Sequence, residues 1–295
     1  MDPDRVDWHM WIILAFITAV CEAAKDGLCK KSLQSMDVFT IAWVWKVFSL
    51  PFILPLIFFP PIPEHLPVQF WTALLVGGGL NILATVLYIR AISTSDLSIP
   101  LPLLSFTPAF LLFTSPLLVG DIPAPLGYVG VLFIVGGSYL LGVGKDTSLL
   151  SPLRALVRDP GARLMLAVAL IWSVAANMDK LGVMATSPFF WAVCVQGFIS
   201  LGLTVVLFCM RGRLRGRMQA NLIPLLLIGL VTGVGFVCQM AAIKIGLVPY
   251  VIAIKRTSIV LGVLIGGIYF LEKDMKTRVT ATLVMLAGVM LIAVS

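Results

Sequence analysis

Apolar runs of about twenty residues follow one another along the whole chain, each closed by a proline, a glycine pair or a cluster of charge. At 1.5 Å of rise per residue, such a run crosses the hydrocarbon layer as a single helix. The pattern predicts ten helices, at 8–28, 38–59, 68–92, 97–119, 124–143, 163–183, 188–210, 221–244, 248–271 and 277–294. The fourth holds Pro100, Pro102, Pro108 and Pro116 and should be kinked, with neighbouring helices satisfying the carbonyls that proline frees. The pairs Gly229/Gly233 and Gly262/Gly266 predict close approach of helix backbones.

The two halves match in one register. VGDIPAPLGYVGVLFIVGGSYLL (119–141) lies opposite FLEKDMKTRVTATLVMLAGVMLI (270–292), with Asp121 on Glu272 at an offset of 272 − 121 = 151. The same offset pairs Ala91-Ile92 with Ala242-Ile243, Gly78 with Gly229, Ser49-Leu50 with Ser200-Leu201, and Gly137 with Gly288. Residues 1–144 therefore form a first five-helix repeat, 145–162 a cytoplasmic connector, and 163–295 a second repeat. A unit with an odd number of spans re-enters the bilayer from the opposite side when duplicated. The expected fold class is an all-α integral membrane protein, with ten transmembrane helices as two inverted five-helix repeats. That architecture belongs to many secondary transporters, whose solute sites lie near the midplane between the repeats.

Composition agrees with a membrane location. The chain is 60% hydrophobic and 12% charged, against roughly 25% charged in a soluble domain. Its net charge of +7 resides between the apolar runs, which points to cytoplasmic loops and not to nucleic acid. Lys30, Lys31, Arg90, Lys145, Arg154, Arg158, Arg163, the RGRLRGR run (211–217), Lys273, Lys276 and Arg278 fall on one side; Arg5, Lys180 and Lys244 fall on the other. The positive-inside rule makes the first side cytoplasmic and puts both termini on the far side. The opening MDPDRVD has no basic n-region, so the first run is expected to be a span and not a cleaved leader. The five cysteines contain no CxxC pair and read as packing residues, so neither a metal site nor a cofactor is expected.

Polar residues inside the spans are the candidate chemistry. Lys255 and Arg256 sit side by side in the run 247–271, where each cation near a helix centre costs roughly 2.5–3.5 kcal/mol on insertion scales. Adjacent residues project about 100° apart on a helix, so both cannot snorkel the same way. At least one is expected to face a cavity and bind a carboxylate or phosphate, which a desolvated guanidinium grips bidentately. Glu22, Lys25 and Asp26 share a face of the first helix and form a candidate ion-pair cluster. Glu22, Asp26 and, in the sixth helix, Asp179 are the candidates for proton coupling. Asn81 and Tyr88 make a polar stripe in the third helix opposite Thr232 and Gln239 in the eighth, and Ser105 aligns with Arg256. The substrate-binding set is thus Lys255, Arg256, Glu22, Lys25, Asn81, Tyr88, Ser105 and Gln239. Asp121 and Glu272 mark helix boundaries or a gate.

An enzyme would need a nucleophile–base pair or a metal cluster. His9 and His65 lie at span ends far apart in sequence, and no GxSxG, HExxH or Cys/His grouping exists. No catalytic residue is assigned. The alternatives to a transporter are a membrane-embedded scaffold and a lipid-modifying enzyme without transport activity. The expected partners are the bilayer and a small-molecule solute, with the chain as a monomer or a homodimer.

Two segments, AISTSDLSIPLPLLSFTPAFLLFTSPLLVGD (91–121) and AIKIGLVPYVIAIKRTSIVLGVLIGGIYFLEK (242–273), carry a resemblance to the EamA-domain transporters of the drug/metabolite transporter superfamily. Each has a small-residue entry, a polar line and a closing acid, and the resemblance covers nearly the whole chain. It implies a ten-helix carrier of metabolites in a bacterial inner membrane, often an exporter. The related plastid phosphate translocators hold phosphate with a Lys-Arg pair in the ninth helix, and Lys255-Arg256 falls at the similar position. The first repeat has Leu104 and Ser105 there and no cation. The family is usually drawn with both termini cytoplasmic, opposite to what the loop charges imply.

Overall fold

The computed structural model describes residues 3–32, 36, 38–59, 63–94, 101–142, 150, 156–209, 222–261 and 275–295. Its helices are α1 (Pro3–Ser32), α2 (Val38–Val47), α3 (Leu50–Ile53), α4 (Val68–Thr72), α5 (Gly78–Thr94), α6 (Thr107–Leu118), α7 (Pro125–Gly142), α8 (Pro160–Ala185), α9 (Pro188–Cys209), α10 (Leu222–Ile245), α11 (Val248–Lys255) and α12 (Met275–Ala293). Five runs of the described residues are long and apolar enough to cross a membrane: Phe39–Phe58, Val68–Thr94, Pro160–Ala185, Pro188–Val206 and Leu222–Ile245. Three shorter apolar helices are Leu103–Leu118, Pro125–Leu140 and Thr280–Ala293. Helix is the expected state for such segments, because within hydrocarbon the backbone must satisfy its own donors and acceptors.

Two runs that read as continuous helices are broken. The run 38–59 divides after α2 into the short α3 and a 3₁₀ turn at Leu54–Phe58. Pro51 and Pro55 remove two amide donors, and the Ser49 hydroxyl turns back to donate to the Lys46 carbonyl at 2.7 Å. In the ninth run, α11 stops at Lys255. The Arg256 amide is shared between the carbonyls of Ile252 and Ala253, and the Thr257 amide reaches Ile254 at 2.9 Å. The Thr257 hydroxyl donates to that same Ile254 carbonyl at 2.7 Å, which fixes the tightened turn before helix resumes at 258–261. In the four-proline run a 3₁₀ turn over Leu101–Phe106 precedes α6, with Pro108 in its first turn and Pro116 inside it, while Pro100 lies outside the described residues.

The chain forms two compact units, Met1–Leu83 with Met178–Ile245, and Ala84–Asn177 with Gly246–Ser295. Each draws helices from both halves of the sequence. In the first, α1 runs along α10, and α2 and α3 pack on α9 and α10. In the second, α7 lies along α12, and α6 packs on α7 and α11.

Small residues set these contacts, and they do so in reciprocal pairs. A Cβ on Gly130 would fall 2.7 Å from the Gly288 carbonyl, and one on Gly288 would fall 2.6 Å from the Gly130 carbonyl. Seven residues on, a Cβ on Gly137 would fall 2.8 Å from the Ala281 carbonyl. Residue numbers rise on α7 while they fall on α12, so the helices cross antiparallel. Gly137 is the repeat mate of Gly288, and Gly130 that of Ala281 (offset 151). The first unit repeats the device. Gly78 lies under the Phe198 ring while its mate Gly229 lies under Phe48, and Gly202 meets Ile82 while Gly233 meets Ile53 and the Ser49 carbonyl.

Bulk at this seam is therefore expected to separate the helices. Gly130→Leu and Gly288→Leu should each cost about 1–3 kcal/mol, read as a lowered thermal unfolding midpoint in detergent. A methyl group added at Gly136 would meet nothing within 4 Å, so that position should accept alanine at no cost. Equal losses from alanine at Gly136 and leucine at Gly130 would remove the seam from the account.

Candidate functional site

In the second unit the candidate centre is the turn that ends α11. Lys255 and Arg256 are half-buried there. They occupy the C-terminal end of a helix, where the peptide dipoles favour a positive charge and offset part of its desolvation. The Arg256 Nη2 donates to the Thr107 hydroxyl at 3.1 Å, across to the first residue of α6. Ser105, the repeat mate of Arg256, precedes Thr107 by two residues; it is 1% exposed and its hydroxyl finds no partner among the described residues. Thr257 and Ser258 are buried beside the turn. The guanidinium, and the buried hydroxyl two residues before its Thr107 partner, are donors whose bonds an incoming carboxylate or phosphate can accept.

The α11 helix is tied down at its other end as well. The Asp121 carboxylate accepts from the Val248 amide at 2.9 Å, and the Tyr250 hydroxyl accepts from the Ala124 amide at 3.1 Å and from the Ser295 hydroxyl at 3.2 Å. Gly127 lies directly under that hydroxyl. Tyr88 stacks at 36° on Trp172, with ring centroids 5.8 Å apart. Asn177 is fully buried and saturated: it receives from Ser115 at 2.7 Å and donates to Thr114 and to the Ser173 carbonyl, both at 3.0 Å. These bonds lock α8 to α6.

In the first unit the polar residues of α1 form the expected cluster. The Lys25 ammonium pairs with Glu22 at 2.5 Å and Asp26 at 3.3 Å, and stands 4.8 Å above the Trp45 ring. Lys25 is buried, Glu22 half-buried and Asp26 exposed. On α8, Asp179 is buried and accepts from the Trp191 indole at 3.0 Å, while Lys180 donates to the Ile243 carbonyl in the last turn of α10 at 2.7 Å. Asn81 donates to the Gly77 carbonyl at 3.0 Å, beside the π turn Ala73–Gly77 that joins α4 to α5. Gln239 is buried on α10. Glu272 lies outside the described residues. The division between units falls between Asn81 and Tyr88, so the predicted stripe is shared out between them.

Sequence reasoning passed over Lys46. It is the lone charge in the run 38–59, and the test applied to Lys255 would have found it. Its ammonium stands 5.7 Å from the Phe236 ring centroid. The backbone beside it is fixed by Gln196, which is fully buried and donates to the Ser49 hydroxyl at 2.9 Å and to the Lys46 carbonyl at 3.4 Å. Gln196 is the repeat mate of Trp45 (offset 151), a relation that sequence identity hides. Among the described residues, no three of His, Cys, Asp and Glu are placed to hold a metal ion.

A helical, two-repeat chain with several membrane-length apolar helices is a multi-pass membrane protein. The model of the EamA-like transporter family matches residues 9–143 and again 159–294, and the chain belongs to that family. Members of this family, within the drug/metabolite transporter superfamily, are transporters and not enzymes. A solved structure titled only as a crystal structure of a protein is similar over 95% of each chain, at 14% identity and a TM-score of 0.74, which shows a shared fold. No curated protein matches the chain.

The Asp179–Trp191 bond has a direct check. Asp179→Ala strands a buried indole donor and should destabilise the protein by about 1–3 kcal/mol. Asp179→Asn keeps an acceptor and should stay within about 1 kcal/mol of the native protein. Thermal unfolding followed by tryptophan emission separates the two; equal losses would mean that the charge itself is needed.

Proposed function

We propose that the chain is a secondary transporter that moves a small polar, anionic organic solute by alternating access, with ten spans arranged as two inverted repeats in a bacterial inner membrane. The observation that carries the anionic reading is Arg256: a half-buried guanidinium at a helix break, bonded to Thr107, two residues along the chain from the buried Ser105 hydroxyl. Broken helices at membrane depth are where transporters commonly assemble their solute sites. Lys255 is the second cation of this set. The inverted arrangement is supported by the α7–α12 crossing. Helices that occupy the same place in each repeat run antiparallel and touch through reciprocal mates, which is what a two-fold axis in the membrane plane demands.

In this reading the two repeats rock, and the polar side chains of α1 have a different task from Arg256. Lys25 is held by two carboxylates, so its charge is matched within α1. Glu22, half-buried and bonded to that ammonium, is the leading proton-coupling group, with Asp26 and Asp179 behind it. Tyr88, Asn81 and Gln239 complete the polar residues assigned to solute binding in this reading. Export is the proposed direction. The protein works as a monomer or a homodimer with no partner beyond the lipid and the solute.

A thermal-shift screen of purified protein against amino acids, sugar phosphates and organic acids identifies the solute. Reconstituted Arg256→Gln should then lose about 30-fold or more of solute flux while keeping its unfolding midpoint, since removing one member of a desolvated charge contact costs at least about 2 kcal/mol. Wild-type flux in that variant would end the anionic-site reading. An imposed pH gradient should accelerate flux, and Glu22→Gln should abolish the acceleration without abolishing exchange. Equal wild-type rates with and without the gradient would remove proton coupling.

A further inference from the structure

We propose that Asp121 is a positioning residue for Arg256, acting through α11; the proposal rests on the reading of Arg256 as the anion-binding group. The geometry is a clasp at both ends of an antiparallel helix pair. Thr107 opens α6, and Asp121 follows α6 by three residues. Val248 opens α11, and Arg256 closes it. Thr107 meets Arg256 at one end at 3.1 Å, and Asp121 meets the Val248 amide at the other at 2.9 Å. The α6 segment thus fixes where α11 begins and where its guanidinium ends.

Each part of the clasp has a physical reason. Four amides open every helix without an internal acceptor, and in a buried setting each needs one from elsewhere. At α11 the residue before the helix is Leu247, which has no capping group, and Pro249 has no amide to satisfy. The donor left over is Val248, fully buried, and the 9%-exposed Asp121 carboxylate supplies its acceptor from across the unit. The approach is permitted by Gly120, whose φ of +73° reverses the chain directly before Asp121. With α11 only eight residues long, a slip at Val248 passes undamped to Arg256. The Tyr250 hydroxyl, two residues further along α11, also meets Ala124 and Ser295, but through a side chain, whereas Asp121 bonds the backbone that opens the helix.

The test uses the full chain in detergent and needs no solute. Phenylglyoxal modification of Arg256 is followed by peptide mass spectrometry, with the exposed Arg90 and Arg158 as internal references. Asp121→Ala should speed modification of Arg256 about fivefold, the scale expected from losing one helix cap, and leave the references unchanged. Asp121→Asn retains an acceptor oxygen and should stay within about twofold of the native rate. Val248→Pro removes the donor at a first-turn position that suits proline; it should match Asp121→Ala and add nothing to it in the double variant. If Asp121→Ala does not fold, Val248→Pro and Asp121→Asn carry the comparison. A native Arg256 rate in Val248→Pro or Asp121→Ala would overturn the proposal, and so would an Asp121→Asn protein as reactive as the alanine variant. Because labelling reads only the guanidinium, loss or retention of flux in Arg256→Gln judges the transport reading separately.

Discussion

Hydrocarbon offers no hydrogen bonds, and most of what is distinctive in this chain follows from that single constraint. A polar group carried into an apolar run is costly unless it finds a partner in the protein. Lys25 finds two carboxylates and an indole face, Asp179 finds Trp191, and Asn177 bonds through both its oxygen and its nitrogen to neighbours on α6 and α8. Partners of this kind reach one another only where backbones come close, and closeness is what the glycines at 78, 130, 229 and 288 provide. Packing and polarity are thus one problem here. A methyl group in the wrong place would separate donors from acceptors as well as helix from helix.

Both broken helices have the same origin. The run that contains Lys46 is interrupted by Pro51 and Pro55, and the run that contains Arg256 by the back-bonded Thr257. In each case a cation lies within three or four residues of the break. A helix end carries exposed carbonyl dipoles that a continuous helix lacks, so a break supplies part of the field that makes a charge tolerable in an apolar run. It also leaves the segment short, and a short segment is governed by its end contacts.

Much of the architecture was legible in the sequence because periodic hydrophobicity and chain reversals are local signals. The boundaries at 188, 221 and 277 were read to within two residues of α9, α10 and α12. Breaks were harder. Proline flagged the fourth run, while Thr257 breaks its helix through a hydroxyl whose direction no residue count reveals. Candidate residues were legible in the sequence where charge stood out against apolar neighbours, as at Lys255, Arg256 and Glu22. It was not legible where a residue acts through distant chain. Gln196 holds Ser49 from 147 positions away, and Asp121 reaches Val248 over 127. Lys46 is a different case, since its signal was present and was passed over.

The mismatch between Ser105 and Arg256 has a consequence for how such a chain can arise. If the halves descend from one self-pairing ancestor, any arginine at this position would have come in two copies. Each would sit two residues from the threonine or serine that the other one faces. Two unscreened positive charges that close in a medium of low permittivity repel strongly. Fusion into one polypeptide frees the halves to differ, and a guanidinium becomes admissible in one half where a symmetric assembly would have forced one in each. Departure from symmetry at one residue is then the sign of specialisation, while the glycine seam preserves the older equivalence.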